Sequence, residues 1–228
     1  MKLTKKVSII IAIIIIIIML LIFIFYIAQI YKNAHHNQLI YIDTPKKLNS
    51  YSKELPFDRI PISKNKIQCS YSIWVYFENA PENVYREYGN NKFYPILEKK
   101  THNTKMGSPG LYYRPKDSNI MVSIKTTTIN TFIVKSIILQ RWNNIVIVVE
   151  DRHLDVYING KLYRSFYLDN VIDLGESDLH INNNKNLYGD ISYFRYFNYA
   201  LHPDIVQRLY NNTNKSKPVK PSLWWLFT

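Results

Sequence analysis

The sequence predicts an all-β fold, a two-sheet antiparallel sandwich preceded by one membrane-spanning helix and closed by one short helix. Three observations carry this prediction. Residues 7–28 are apolar and uncharged throughout. From Ile67 onward about ten short β-rich runs follow one another, each bounded by Gly, Pro, Asn or Asp, which is typical of a sandwich or barrel. Among them, Asn159 and Gly160 separate two runs and supply the positive φ angles that a type I′ hairpin requires.

Residues 7–28 are long enough for a transmembrane helix. At about 1.5 Å per residue such a helix spans roughly 33 Å, against a hydrocarbon core of about 30 Å. A cleaved signal peptide is the alternative, but the run exceeds the roughly 7–15 apolar residues of such peptides. Lysines are concentrated in the tail 1–6, whereas Lys32 alone follows the run closely. The positive-inside rule therefore predicts a signal anchor with a short cytosolic tail and an extracytosolic C-terminal domain.

Residues 29–66 are interpreted as a polar linker, because they contain three prolines and no sustained helical period. The predicted strands then follow in order. They are residues 67–77, 91–99, 110–115, 119–126, 130–136, 144–150, 154–158, 161–166, 177–182 and 187–201. Residues 144–150 form a nearly continuous β-branched run, which is typical of a strand buried on both faces.

One short helix ends the predicted domain, which spans residues 67–211. Pro203 suits the first helical turn, and Leu201, Ile205 and Leu209 recur at helical spacing.

The remaining segment, residues 212–228, is an aromatic tail with Trp224, Trp225 and Phe227 near its end. These side chains either fold back onto the sandwich or dock into a membrane interface or a partner protein.

Composition limits the partners. The formal net charge of +12 favours anionic partners, but the basic residues are scattered, so we expect no nucleic-acid binding.

Cys69 is the only cysteine, which excludes an intramolecular disulfide, and we expect it to be buried in a strand. The absence of disulfides fits a membrane inside a virus particle that is assembled in the cytosol.

Three blocks of the sequence, residues 71–77, 141–163 and 187–211, resemble the laminin-G-like, concanavalin A-like lectin/glucanase superfamily. In that family a Trp opens a strand, as Trp142 does here, and a late Gly-containing block closes the sandwich. One departure is His202, where the family usually has a Ser or Thr helix cap. The resemblance implies a jelly-roll sandwich that binds carbohydrate or protein, in some members with calcium, and that hydrolyses glycans in a glucanase branch.

We expect no enzyme. Glycoside hydrolysis needs two carboxyl groups roughly 5–10 Å apart. The glucanase branch carries them as E-x-D-x-x-E on one strand. Here Glu176 and Asp178 have the first spacing, but Ile181 occupies the third position.

The best candidate ligand surface comprises Tyr112, Tyr113 and Arg114, with His153 as a neighbour. Exposed aromatic faces beside planar polar groups would suit a sugar, although these tyrosines could equally cover a sheet face.

We expect no cofactor and no metal. Weak candidates for calcium are Asp178, Asn182 and Asp190, whose presence in loops turn chemistry also explains. Asn211 and Asn214 begin glycosylation sequons, which matter only in a glycosylating lumen.

The sequence therefore predicts a membrane-anchored, lectin-like binding module that contacts glycans or a protein partner without catalysis. The alternative is a structural membrane protein of a virion or envelope, in which the sandwich and the aromatic tail mediate assembly contacts. Its predicted location is a membrane, crossed once, and a virion membrane is one such compartment.

Overall fold

The structure, a computed structural model, describes most of the chain. The described residues are 2–36, 38–62, 67–78, 92–100, 106–135, 137–183 and 187–215. The chain divides into two compact units, Met1–Gln38 and Leu39–Thr228.

The first unit is a single α-helix, α1 (Lys2–His36), which contains the apolar run and extends beyond it at both ends. Its large apolar side chains between residues 13 and 27 are 39–66% exposed. A search of the described residues for a helix long and apolar enough to cross a membrane found none. The membrane span stays a prediction.

The second unit is an antiparallel sandwich whose described residues form thirteen strands. They are β1 (Gln38–Ile42), β2 (Lys46–Lys47), β3 (Lys53–Leu55), β4 (Gln68–Phe77), β5 (Tyr94–Lys99), β6 (Gly110–Arg114), β7 (Asn119–Lys125), β8 (Ile129–Val134), β9 (Trp142–Glu150), β10 (His153–Ile158), β11 (Lys161–Tyr167), β12 (Leu179–Ile181) and β13 (Gly189–Phe197). The first sheet has the order β1-β13-β4-β9-β10-β11, with β2 also paired to β13, and the second has the order β3-β12-β5-β6-β7-β8. A 3-10 helix (Phe57–Arg59) and a helix α2 (Pro203–Lys215) complete the unit.

The segment interpreted as a linker contributes to both sheets. It contains β1, β2, β3 and the 3-10 helix, and Ile42, Leu48, Leu55 and Ile60 are buried in the core. The linker prediction is therefore wrong for residues 38–60. Strands of two to five residues are too short to show the alternation that reveals a strand.

The meander β9-β10-β11 confirms the predicted hairpin. Asn159 and Gly160 have φ angles of 51° and 77°, so both occupy the left-handed region. The Asn159 side chain accepts a hydrogen bond from the backbone N–H of Asn144 at 2.9 Å, which ties the turn to the adjacent strand. A register irregularity between Val156 and Tyr157 interrupts the pairing of β10 with β11.

The core lies between the two sheets, and aromatic contacts join them. The ring of Phe77 on β4 stacks on that of Tyr113 on β6 with 3.7 Å between centroids. Inward-facing residues of β9, such as Ile145 and Ile147, belong to this core, whereas Val146 belongs to a second cluster on the outer face. The prediction that this strand is buried on both faces is confirmed.

Helix α2 covers the outer face of the first sheet. Its Val206 packs in the outer cluster with Val146 and Phe197. The indole N–H of Trp74 on β4 donates to the Thr213 hydroxyl at 3.0 Å. The helix continues four residues beyond the predicted boundary at 211. The helix therefore forms a third layer on part of this outer face.

The helix begins without a Ser or Thr side-chain cap. The His202 carbonyl accepts hydrogen bonds from the N–H groups of Ile205 at 2.9 Å and Val206 at 3.1 Å. The His202 imidazole contacts the Asp204 carboxylate.

Cys69 is completely buried, as predicted, and burial raises the pKa of its thiol from an ordinary 9.0 to about 12. Burial also raises the pKa of Tyr71 and that of Tyr196. A thiol that stays protonated at neutral pH is a poor nucleophile, so this cysteine is a packing residue.

We expect the sandwich to lose stability as pH rises from about 9 towards about 12. In this range the unfolded chain releases the Cys69 proton while the folded chain retains it, at about 1.4 kcal/mol per pH unit. Thermal unfolding of the full chain in mild detergent, followed by near-UV circular dichroism, measures the effect. Cys69→Val should show a shallower decline, and curves of equal slope would contradict this assignment.

Candidate functional site

A groove of about 250 Å³ lies on the outer face of the first sheet, between β10 and the start of α2. It is lined by Val148, Glu150, His153, Asp155, Tyr157, Ala200, Leu201, His202 and Pro203. Val148, Tyr157 and Leu201 are buried and form an apolar floor.

The rim of the groove is polar on both sides. On the strand side, His153 stands opposite Glu150 in the register of β9 and β10, and Asp155 follows on the same face because side chains alternate along a strand. On the helix side His202 and Pro203 are exposed, and His202 is the polar one. Burial raises the pKa of Tyr157, and the adjacent Asp155 carboxylate raises it further. The tyrosine hydroxyl therefore stays neutral, and its hydrogen bond goes to Asp155.

An exposed aromatic ring extends this rim. Tyr167 on β11 is 65% exposed and meets the His153 ring edge-on, with 5.1 Å between centroids. The guanidinium of Arg152 lies 4.8 Å from the centroid of the Tyr167 ring, which restrains the ring. The arrangement combines hydrogen-bond acceptors with an apolar face, as sites for small polar ligands do.

The predicted cluster of Tyr112, Tyr113, Arg114 and His153 is not a single surface. The first three lie on β6 in the second sheet, whereas His153 lies on β10 in the first. Both tyrosines are only 4% exposed. The prediction of an exposed aromatic ligand surface at Tyr112 and Tyr113 is therefore wrong, and His153 alone borders a groove.

Each of these side chains on β6 has a structural partner instead. Tyr112 donates its hydroxyl hydrogen to Glu98 at 3.0 Å and accepts from the Gly107 N–H at 2.8 Å, and burial raises its pKa. Arg114 forms two hydrogen bonds to Asp117, at 2.8 and 2.5 Å. Hydrogen bonding by the Arg114 side chain is the main reason that the pKa of Asp117 is lowered.

Each of the weak calcium candidates has a bonding partner within the protein. The Asp178 carboxylate accepts a hydrogen bond from the backbone N–H of Phe57 at 2.8 Å, which ties the 3-10 helix to the start of β12. The Asn182 amide donates to the Tyr51 carbonyl at 2.6 Å, and the Asp190 carboxylate lies 3.2 Å from the Lys47 ammonium. Within the described part of the chain, no three His, Cys, Asp or Glu residues are grouped closely enough to hold a metal ion.

The remaining predicted sites are on or beyond α2. Asn211 is exposed on the helix, and its side chain accepts from Gln207 at 3.2 Å. The side chain of Asn214 and the whole residues Trp224, Trp225 and Phe227 lie outside the described residues. The docking and glycosylation hypotheses for them stay predictions.

A second recess, of about 230 Å³, lies beside the 3-10 helix and the loop that follows β11. Its Lys99 ammonium donates to the Gly175 carbonyl at 2.5 Å and lies 5.0 Å from the centroid of the Phe57 ring, and burial lowers the pKa of this lysine. Asp173 forms an ion pair with Lys125 at 2.7 Å. Polar groups of the outer groove also have partners within the protein, since Glu150 accepts from Gln68 at 3.0 Å and His202 contacts Asp204. We prefer the outer groove because the exposed ring of Tyr167 extends its rim.

Sequence reasoning missed most of the groove. Glu150, Asp155 and His202 come from β9, β10 and the start of α2, and no local motif links them. The available signal was the polar alternation of His153 and Asp155 on a strand whose other face is apolar.

Comparison with protein families identifies the superfamily of the sandwich. A family model described as the concanavalin A-like lectin/glucanases superfamily matches residues 53–207. A comparison with curated proteins gave no match.

Solved structures with the same fold include receptor-binding domains of neurotoxins. The receptor-binding domain of botulinum neurotoxin type G aligns with a TM-score of 0.53 and 17% identity, over 78% of this chain and 47% of that one. A ligand-binding domain of serotype D, solved in complex with N-acetylneuraminic acid, aligns with a TM-score of 0.56 and 16% identity, over 78% of this chain and 46% of that one. The chain thus spans about half the length of these structures, and the likeness concerns the fold.

Proposed function

This chain belongs to the concanavalin A-like lectin/glucanases superfamily, and we propose that it acts there as a membrane-anchored, non-catalytic binding module for glycans or a protein partner. The observation that carries the glycan proposal is the outer groove. Two carboxylates and two imidazoles surround its apolar floor, and the exposed ring of Tyr167 extends the rim.

The groove favours a neutral, hydroxyl-rich glycan. Glu150 and Asp155 are acceptors when ionised, so they suit hydroxyl donors and repel a ligand carboxylate. The exposed face of Tyr167 supplies apolar contact for the C–H groups of a sugar ring. An acidic sugar such as the N-acetylneuraminic acid of the serotype D complex would bring a carboxylate close to these two groups.

Absence of catalysis is supported by the residues that replace the glucanase pattern. Ile181, at the third acidic position, is completely buried on β12. Asp178, at the second, is engaged by the backbone of Phe57. Neither position offers a carboxyl group free to attack or protonate a glycosidic bond.

The proposed anchor is the uncharged run within α1. Its apolar side chains between residues 13 and 27 are largely exposed, and exposed apolar area costs about 25 cal/mol per Å² in water. A lipid environment removes this cost. With the N-terminal tail in the cytosol, as the positive-inside rule predicts, the sandwich is extracytosolic. The aromatic tail with Trp224, Trp225 and Phe227 then docks at the membrane interface or on a partner.

We expect the full chain to remain in the membrane pellet after an alkaline carbonate wash. A variant with Ile16→Lys and Leu20→Lys should move to the supernatant, because each lysine at a helix centre costs about 2.5–3.5 kcal/mol of insertion. The matched control carries Asn33→Lys and His36→Lys, outside the apolar run, and should stay in the pellet. Recovery of the unmodified chain in the supernatant would contradict the anchor.

Glycan binding is testable on a printed array of neutral and sialylated oligosaccharides, with the detergent-solubilised full chain. We expect neutral members to bind best. Asp155→Asn should weaken binding about tenfold, because a hydrogen bond to a charged group contributes about 1.5–3 kcal/mol. Tyr167→Ala should also weaken it. The matched control is Asp169→Asn, an exposed carboxylate outside the groove, which should bind normally. Preference for sialylated members, or equal binding by all variants, would contradict the proposal.

A second candidate function is a structural role in a virion or envelope, with the sandwich mediating assembly contacts. One observation favours it, the exposure of four large apolar side chains on the edge strands β8 and β11.

A further inference from the structure

Both sheets end on the same side of the sandwich. β11 is the last strand of the first sheet and β8 is the last strand of the second. The ring centroids of Phe132 on β8 and Phe166 on β11 lie 4.2 Å apart, and the backbone N–H of Lys135 donates to the Tyr163 hydroxyl at 3.2 Å. We call the surface formed by β8, β11 and the residues directly after them the open edge.

The open edge holds most of the exposed apolar side chains of the sandwich. Seven large apolar side chains are exposed among the described residues of the sandwich, and four of them lie on β8 or β11. They are Ile133 (44%), Leu162 (53%), Tyr163 (42%) and Tyr167 (65%). The other three are Ile62, Ile138 and Val171. Concentration of exposed apolar area on one side marks an interaction surface rather than scattered surface residues.

The exposed backbone of β11 is a second reason to infer an interaction surface here. All seven of its residues except Phe166 are exposed, so neither a loop nor a helix among the described residues covers this strand. An edge strand presents a row of N–H and C=O groups that can pair with another extended segment. A peptide that adds a strand in this way gains affinity from main-chain hydrogen bonds and specificity from alternate side chains.

The charges on β8 and β11 indicate which kind of segment would bind the open edge. β8 and β11 contain no acidic residue, whereas Lys161 and Arg164 lie on β11 and Lys135 follows β8. A second copy would place this basic strand against itself, and like charges on opposing strands are destabilising. The segment 216–228 of this chain is also basic, with two lysines and no acid. An acidic segment is complementary to this edge.

We propose that the open edge binds an extended segment of a partner protein in which apolar and acidic residues alternate, and that this segment adds a strand to β11. The apolar residues of the segment cover Leu162 and Tyr163, and its carboxylates pair with Lys161 and Arg164. The proposal goes beyond glycan recognition, because it depends on the backbone and the basic side chains of the edge and not on the carboxylates of the groove.

The test uses the full chain in mild detergent and three labelled synthetic peptides, followed by fluorescence anisotropy. One peptide alternates Val or Phe with Glu, the second replaces each Glu by Lys, and the third interrupts the Glu peptide with prolines. We expect only the first to bind, and to bind more weakly as salt rises. Lys161→Glu with Arg164→Glu should weaken its binding at least tenfold and transfer preference to the Lys peptide.

The matched control has Lys46→Glu and Lys100→Glu, two exposed lysines on β2 and directly after β5, and should bind the Glu peptide normally. Far-UV circular dichroism verifies that each variant is folded. Equal binding of the Glu and Lys peptides, or equal weakening in the control, would overturn the proposal. So would dimerisation of the unmodified chain that Leu162→Lys abolishes, or Glu-peptide binding that appears only after truncation following Lys217. Asp155→Asn should bind the Glu peptide normally, so failure of the glycan proposal is distinguishable from failure of this one.

Discussion

The packing of α2 on the outer face of the first sheet is the constraint on which the rest of the structure depends. It buries the second face of β4 and β9, so these strands are apolar on both sides, and the Trp74 indole finds its partner in Thr213. A buried indole N–H without a partner costs about 1–3 kcal/mol, which ties the helix to one position. The groove exists because the helix starts at Pro203, short of covering the His153 end of β10.

The same packing leaves two exposed surfaces that differ in charge, the groove and the open edge. The helix packs on β4, β9 and β13 of the first sheet, whereas β11 is exposed at the open edge. The groove carries two carboxylates, whereas the edge strands carry only basic charges. Tyr167 lies between the two surfaces and contacts His153 on the groove side. A neutral ligand in the groove and an acidic strand at the edge could thus be bound by one small domain.

Periodicity and turn chemistry predicted most of the fold, because β4 to β13 are long enough to alternate and the turn at Asn159 requires positive φ. The same reasoning failed for β1 to β3, whose pairing depends on contacts distant in sequence. It also failed for Tyr112, since alternation reveals which residues share a face but not that Glu98 and Gly107 cover that face. The groove brings His153 together with residues about fifty positions later, a distance that no local pattern spans.

The groove between β10 and α2 is the proposed recognition surface. Amide hydrogen exchange of the detergent-solubilised full chain, with and without a mixture of neutral oligosaccharides at saturating concentration, tests it most directly. Binding in the groove predicts slower exchange in β10 and in residues 200–203, with the Lys99 recess unchanged. Slower exchange at the Lys99 recess alone, or no change anywhere in the sandwich, would contradict the claim.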